Sequence, residues 1–140
     1  MRIPAKLLCA AVAFASGATW AEVVVIVNPK NATSSMSAGQ VAQIYTGTTA
    51  AFPNGSAAAP LDMPDASPVR EEFLAKVVGK SASQVKAIWS RLIFSGKGTK
   101  PKVLDSSAEV KKQVAADPNA IGFIEKSALD GSVKAVLEAK

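Results

Sequence analysis

The chain alternates between short apolar runs and segments whose apolar residues recur at helical spacing. The unbroken β-branched run from Val23 to Val27 ends at Asn28-Pro29 and predicts a strand that is buried on both faces. Shorter apolar runs predict further strands at 58–62, 103–104, 121–124 and 133–137. Because these strands alternate with helical segments, the pattern predicts an α/β domain with a mixed or largely parallel sheet flanked by helices.

Hydroxyl residues mark the predicted helix starts. Ser37 with Gln40, and Ser81 with Gln84, have the spacing of a capping box, in which a hydroxyl and a later amide satisfy free backbone N–H groups. The apolar positions that follow each box fall on one helix face, so both segments are predicted to pack against the core. Two more helices are predicted from Ser67 to about Val78 and over 105–116.

The stretch from Asp65 to Arg70 carries the most informative chemistry. Ser67 suits the N-cap of a helix, and Pro68 suits its first position. Arg70 then lies in the first turn, where a cation is mildly unfavourable unless an anion is bound. Asp65, Ser67 and Arg70 are therefore candidate ligands of phosphate or a similar oxyanion. The alternative is an ordinary capped helix whose Arg70 points to solvent or pairs with a nearby acid.

A second group of hydroxyls follows the first strand. Ser34 and Ser35 would line the same anion site if their loop faces the helix that starts at Ser67, because ligands gather at strand ends in open α/β sheets. The alternative is that these side chains make only local turn and cap hydrogen bonds.

The first 21 residues have the composition of a secretory signal. Arg2 and Lys6 are followed by the apolar run 7–15 and by small residues near Ala21. The run is shorter than the ~20 residues that span a bilayer, so no stable membrane anchor is expected. We expect cleavage after residue 21, a single domain over 22–140, and a bacterial periplasmic or extracellular location.

The composition argues against most enzyme classes. The chain has no His, and its one Cys, Cys9, lies in the predicted signal, so the commonest general base, thiol nucleophile and metal ligands are missing. We expect no enzyme activity, no metal and no cofactor; a hydrolase with a Ser-Lys pair is the remaining catalytic alternative. Net charge falls from +5 to +3 without Arg2 and Lys6, which is too mild for nucleic-acid binding.

The loop 95–99 superficially resembles a phosphate-binding P-loop. The segment Ser95-Gly96-Lys97-Gly98-Thr99 has Leu92 where that motif needs glycine, and Gly98 follows the lysine where Ser or Thr is required. We interpret it as a solvated loop or a basic patch that faces a partner.

The order of several motifs resembles that of the phosphate-binding periplasmic proteins of ABC transporters. These motifs are the strand that ends at Asn28-Pro29, Ser35-Met36-Ser37 before a helix ending at Gly47, the segment 65–74, and Asn119 to Ile124. The chain looks most like short, single-lobe proteins similar to those receptors. The resemblance implies a single lobe of the type II periplasmic-binding-protein-like fold.

The resemblance also bears on the candidate site. Asp65 and Ser67 match the Asp and Ser of the family's phosphate loop, whereas Met63, Pro68 and Val69 stand where the family has Arg, Gly and Thr. We hypothesise that Arg70 replaces the missing guanidinium. A carboxylate at Asp65 would accept a hydrogen bond from a protonated anion, and would thus favour hydrogen phosphate over sulfate.

The sequence therefore leads to two functional hypotheses. The first is an exported solute-binding protein that takes phosphate or another small oxyanion for uptake or sensing, with an ABC transporter permease or a sensor protein as partner. A single lobe leaves one side of the anion in water, so a homodimer would be one way to supply the second jaw. The second hypothesis is an interaction or sensor module that keeps the lobe as a scaffold without a ligand.

Overall fold

The computed structural model describes residues 22–98 and 100–139, and the predicted signal 1–21 lies outside this part. Its strands are β1 (Val23–Val27), β2 (Ala59–Asp62), β3 (Lys102–Val103), β4 (Ala120–Glu125) and β5 (Lys134–Ala139). Its α-helices are α1 (Ala38–Tyr45), α2 (Pro68–Phe73), α3 (Ala82–Phe94) and α4 (Ser107–Ala116). Every strand and helix predicted from the apolar pattern is present, with bounds shifted by a few residues.

The five strands form one mixed sheet in the order β3-β2-β4-β1-β5. β2 runs parallel to β3 and β4, whereas β1 runs antiparallel to both β4 and β5. β1 lies inside the sheet between two partners, which explains why its five residues are all apolar and buried.

The helices cover both faces of this sheet. Phe123 of β4 stacks on Phe73 of α2, with ring centroids 4.0 Å apart. The adjacent Gly122 faces the opposite way, toward Val110 of α4. Because consecutive strand residues point to opposite faces, α2 and α4 lie on different sides, and the domain has three layers.

The helix starts follow the hydroxyl signals. Both predicted capping boxes are confirmed, since Ser37 and Ser81 accept the backbone N–H of Gln40 and Gln84 while each amide side chain binds back. The fourth helix begins two residues later than predicted, because Ser106 acts as its N-cap. No helix in the described part of the chain is long and apolar enough to cross a membrane.

The helix predicted from Ser67 to Val78 is continuous but changes type. After α2, residues Leu74–Val78 form a π-helical turn, which ends at Gly79 in the left-handed conformation with φ of 75°. Glycine suits this position because it has no Cβ to clash. Apolar spacing alone does not predict this change from α to π geometry.

Candidate anion site

The loop that joins β2 to α2 holds the candidate residues. Ser67 is the N-cap of α2, and its Oγ accepts the backbone N–H of Arg70 at 3.2 Å. The Ser67 hydroxyl also contacts the sulfur of Met63 at 3.5 Å. Pro68 has no N–H, so the first turn offers a ligand few free backbone donors, and the Ser67 oxygen already serves the helix.

Arg70 does not point to solvent. It is buried, and its guanidinium turns back along the loop toward β2. Nε lies 2.9 Å from Oδ1 of Asp62, Nη2 lies 3.4 Å from the second oxygen of the same carboxylate, and Nη1 lies 3.2 Å from Oδ1 of Asp65. One buried cation is thus held between a mostly buried acid and an exposed acid.

Asp62 is a site residue that the sequence reasoning missed. It is the last residue of β2, its carboxylate accepts the backbone N–H of Met63 at 2.8 Å, and its side chain is 16% exposed. The available signal was an acid at the end of an apolar run, eight residues before an arginine. That spacing does not predict contact unless the loop is known to fold back on the strand.

Met63, at the position where the resemblance to phosphate receptors implies an arginine, is buried in the core. The guanidinium of Arg70 approaches the same loop from inside the helix. Arg70, and not position 63, therefore supplies a cation to the loop, and two carboxylates already surround that cation.

A cleft of about 330 Å³ opens beside this loop, between β3 and α3. Its wall includes Asp62, Asp65 and Arg70, with Lys86 of α3 and Lys100 of the loop before β3. Three cations and two carboxylates leave a net charge of +1 around the cleft. Its size is at the lower end for ligand sites, which suits a small ligand.

The two hydroxyls after β1 are not brought to this cleft. Because β1 is antiparallel to β4 and β4 is parallel to β2, the carboxyl ends of β1 and β2 point in opposite directions along the strands, to opposite ends of the sheet. Ser34 and Ser35 are exposed, and the next residue, Met36, donates its N–H to Val136 of the edge strand β5 at 3.0 Å. The structure brings together Asp65, Ser67 and Arg70, but not the two serines.

Tyr45 fixes the strands beneath the site. Its hydroxyl donates a hydrogen bond to the carbonyl of Leu61 at 2.7 Å and lies 3.2 Å from that of Ile121, which ties α1 to β2 and β4. Burial raises the pKa of this phenol well above its ordinary value, and the charge of Asp62 adds to the rise. The phenol therefore stays neutral as a structural anchor.

The mixed sheet with helices on both faces is the α/β fold that the sequence predicts, and solved structures contain it as part of a longer chain. Among solved structures, the chain resembles a phosphate ABC transporter substrate-binding protein from Clostridium perfringens with bound phosphate (TM-score 0.68, 24% identity). It also resembles an ABC-type phosphate transport receptor from Vibrio cholerae (0.65, 21%) and PstS from Borrelia burgdorferi (0.63, 12%). The predicted fold class and the resemblance to phosphate receptors are confirmed.

The structural match covers only part of each receptor chain. Each superposition covers 83% of this chain but only 44%, 45% and 46% of the respective receptor chains. The chain thus spans less than half the length of the structures that it matches. No protein-family model matches the sequence, and no curated protein matches it.

Proposed function

We propose that this chain is an exported solute-binding lobe that takes hydrogen phosphate, or a closely similar oxyanion, in the cleft beside Asp65 and Arg70. The observation that carries the proposal is the buried Arg70 guanidinium in the cleft wall. The proposed role is binding for uptake or sensing, with no catalysis, together with a transporter permease or a sensor protein. Residues 1–21 would be removed on export to the periplasm, which mass spectrometry of the secreted protein tests directly.

Arg70 retains capacity for a ligand despite its two acidic neighbours. A guanidinium has five N–H donors, and the hydrogen bonds to Asp62 engage two of them, while Nη1 lies 3.2 Å from the Asp65 carboxylate as an ion pair. The two carboxylates hold the planar group in one orientation, so little further ordering is needed when an anion binds. Lys86 and Lys100 add charge from the opposite wall.

The Asp65 carboxylate determines which anion the proposed site should prefer. Asp65 is exposed at the mouth of the cleft, where its carboxylate repels a fully ionised anion but accepts a hydrogen bond from a protonated one. Hydrogen phosphate carries such a proton near neutral pH and sulfate does not. The proposed site therefore prefers phosphate to sulfate, with modest affinity because one lobe leaves the anion partly in water.

Thermal shift and calorimetry with phosphate, sulfate and malonate test this function. Stability should rise with the logarithm of phosphate excess and should change less with sulfate. Asp65→Asn should reduce the difference between the stability gained with phosphate and that gained with sulfate. Arg70→Lys should weaken the stabilisation by phosphate, because lysine keeps the charge but loses the planar guanidinium. A native protein that shows no response to millimolar phosphate contradicts the proposal.

Matched variants separate a lost ligand from a weakened fold. Ser67→Ala removes the helix cap that binds the backbone N–H of Arg70, whereas Ser106→Ala removes an equivalent cap from α4 outside the cleft. Both should lower the melting temperature, but only Ser67→Ala should reduce the phosphate-induced rise. Arg91→Lys, on an exposed arginine, is the control for Arg70→Lys.

A second candidate function has its own supporting observation. Ser67 and Arg70 are already engaged with protein partners, and Pro68 removes a backbone donor, so the loop is stable without a ligand. This arrangement favours a scaffold that serves as an interaction or sensor module. The scaffold function predicts no anion response in any of the variants above, together with unchanged folding of Asp65→Asn.

A further inference from the structure

Positive charge is concentrated in one part of the sequence. From Phe73 to Leu104 the chain has seven Lys or Arg residues and no Asp or Glu. The other nine basic residues share the rest of the sequence with all eleven acidic residues. A weakly basic protein therefore carries one strongly basic segment, which runs from the π-helical turn through α3 and the following loop to β3.

The exposed apolar side chains fall in the same segment. Among the described residues, the large apolar side chains that remain exposed are Ile93 at 45%, Phe94 at 95% and Val103 at 48%. Phe94 ends α3 and makes almost no contact with the rest of the domain. An exposed ring of this size beside a concentration of cations indicates a binding surface.

The turn after α3 fixes the ring beside the lysines. Gly96 has φ of 76°, its N–H binds the carbonyl of Ile93 at 3.0 Å, and the N–H of Lys97 binds that of Leu92 at 2.8 Å. These two bonds form a Schellman motif, which anchors the start of the basic loop to the last turn of α3. Phe94 and Lys97 are thus held on one short, ordered turn.

Three lysines in and beside this loop have no acidic partner among residues 22–98 and 100–139. Lys97, Lys100 and Lys102 are exposed and line one groove of about 470 Å³, in which Asp117 is the acidic residue. None of the three forms an ion pair with another described residue, whereas Lys76, Lys111 and Lys126 all do. Their charge is available to an external anionic surface.

We propose that this surface, formed by Ile93, Phe94, Lys97, Lys100 and Lys102, binds reversibly to the surface of an anionic lipid bilayer. Phe94 would enter the headgroup region while the lysines contact lipid phosphates. A bilayer takes in a protruding ring without a complementary pocket, and lysines beside an aromatic ring are typical of interfacial binding. An acidic protein would need a pocket shaped to receive Phe94, which makes the bilayer the better match to a ring that is 95% exposed.

Vesicle cosedimentation of the protein as purified tests the proposal. Vesicles of equimolar phosphatidylglycerol and phosphatidylcholine should bind it at low salt, phosphatidylcholine vesicles should bind it little, and added salt should release it. Lys97→Glu with Lys102→Glu should weaken binding about 25-fold or more, since each cation near the surface contributes about fivefold. Phe94→Ser should weaken it about tenfold through lost apolar burial.

The controls keep net charge and the N-terminus constant. Lys30→Glu with Lys112→Glu makes the same charge change at two exposed lysines outside this surface, and should have much less effect. All variants have the same N-terminus, with or without residues 1–21, so that segment cannot account for differences between them. The proposal is overturned if the anionic vesicles do not bind the protein, or if the control pair weakens binding as much as the Lys97 and Lys102 pair. Lys97 and Lys102 do not line the proposed anion cleft, so the two functions can fail separately.

Discussion

Loss of the guanidinium of Arg70 should destabilise the fold more than loss of the charge on Asp62. Arg70→Met keeps much of the aliphatic volume but leaves the Asp62 carboxylate, only 16% exposed, without its two-point partner. Removal of one member of a buried ion pair costs about 3–5 kcal/mol. Asp62 keeps some solvent contact and the Met63 N–H, so we expect the lower end, about 3 kcal/mol, or roughly 12 °C in melting temperature for a domain of this size.

Removal of the charge on Asp62 is expected to destabilise the fold less than removal of the Arg70 guanidinium. Asp62→Asn leaves Arg70 beside Asp65 and retains an oxygen that can accept its Nε–H, so we expect a loss of about 1.5 kcal/mol. The double variant, Arg70→Met with Asp62→Asn, leaves no unpaired charge at position 62. Its loss should therefore fall at least 1 kcal/mol short of the sum of the two single losses.

Urea denaturation of the four proteins, followed by tryptophan fluorescence, measures these differences, provided that the denaturant slopes agree. The reasoning is refuted if Arg70→Met loses less than about 1 kcal/mol, or if the single losses add to within about 0.5 kcal/mol. Either result would mean that the contacts of Arg70 with Asp62 do not hold the loop against the strand.

Three further predictions follow from other parts of the fold. Tyr45 is the one tyrosine of the chain, and its pKa is raised by burial, so tyrosinate absorbance should not develop until a pH well above 10. Because the folded pKa exceeds the unfolded one, the contribution of Tyr45 to stability is complete below about pH 10 and is lost as pH rises toward the folded pKa; Tyr45→Phe should remove that part of the decline. Gly122→Ala should cost about 1–3 kcal/mol in chemical denaturation, since its Cβ would lie 2.5 Å from Cγ1 of Val110, and an unchanged midpoint would contradict the close packing of α4 on β4. Ser37→Ala should cost about 1 kcal/mol by removing the α1 cap, and Ser35→Ala, at a neighbouring exposed serine, is its control in the same melts.

Local signals were enough to predict the elements of this fold. The β-branched run of β1 and the capping boxes at Ser37 and Ser81 act over a few residues, so the sequence around each position contains the whole interaction. The same holds for Ser67 and Pro68 at the start of α2. These predictions succeeded because backbone geometry and capping are decided close by in the chain.

The direction of β1 was beyond such signals. An apolar run predicts a buried strand but does not indicate whether its neighbours run parallel or antiparallel. The antiparallel pairing of β1 with β4 places Ser34 and Ser35 away from the loop of Ser67. The hypothesis that joined the serines to the anion site depended on a topology that only long-range pairing decides.

For Arg70, too, local signals predicted the helix position, whereas long-range packing decided the surroundings of the side chain. The sequence alone determined that this arginine lies in the first turn of a capped helix, beside the loop in which Asp65 and Ser67 match a phosphate receptor. Only the tertiary structure decided that its side chain is buried, turned back to Asp62 and shared with Asp65. The physical reason is distance along the chain: helix starts depend on neighbours three residues apart, whereas the environment of a charge depends on which strand end, loop and helix the fold packs around it.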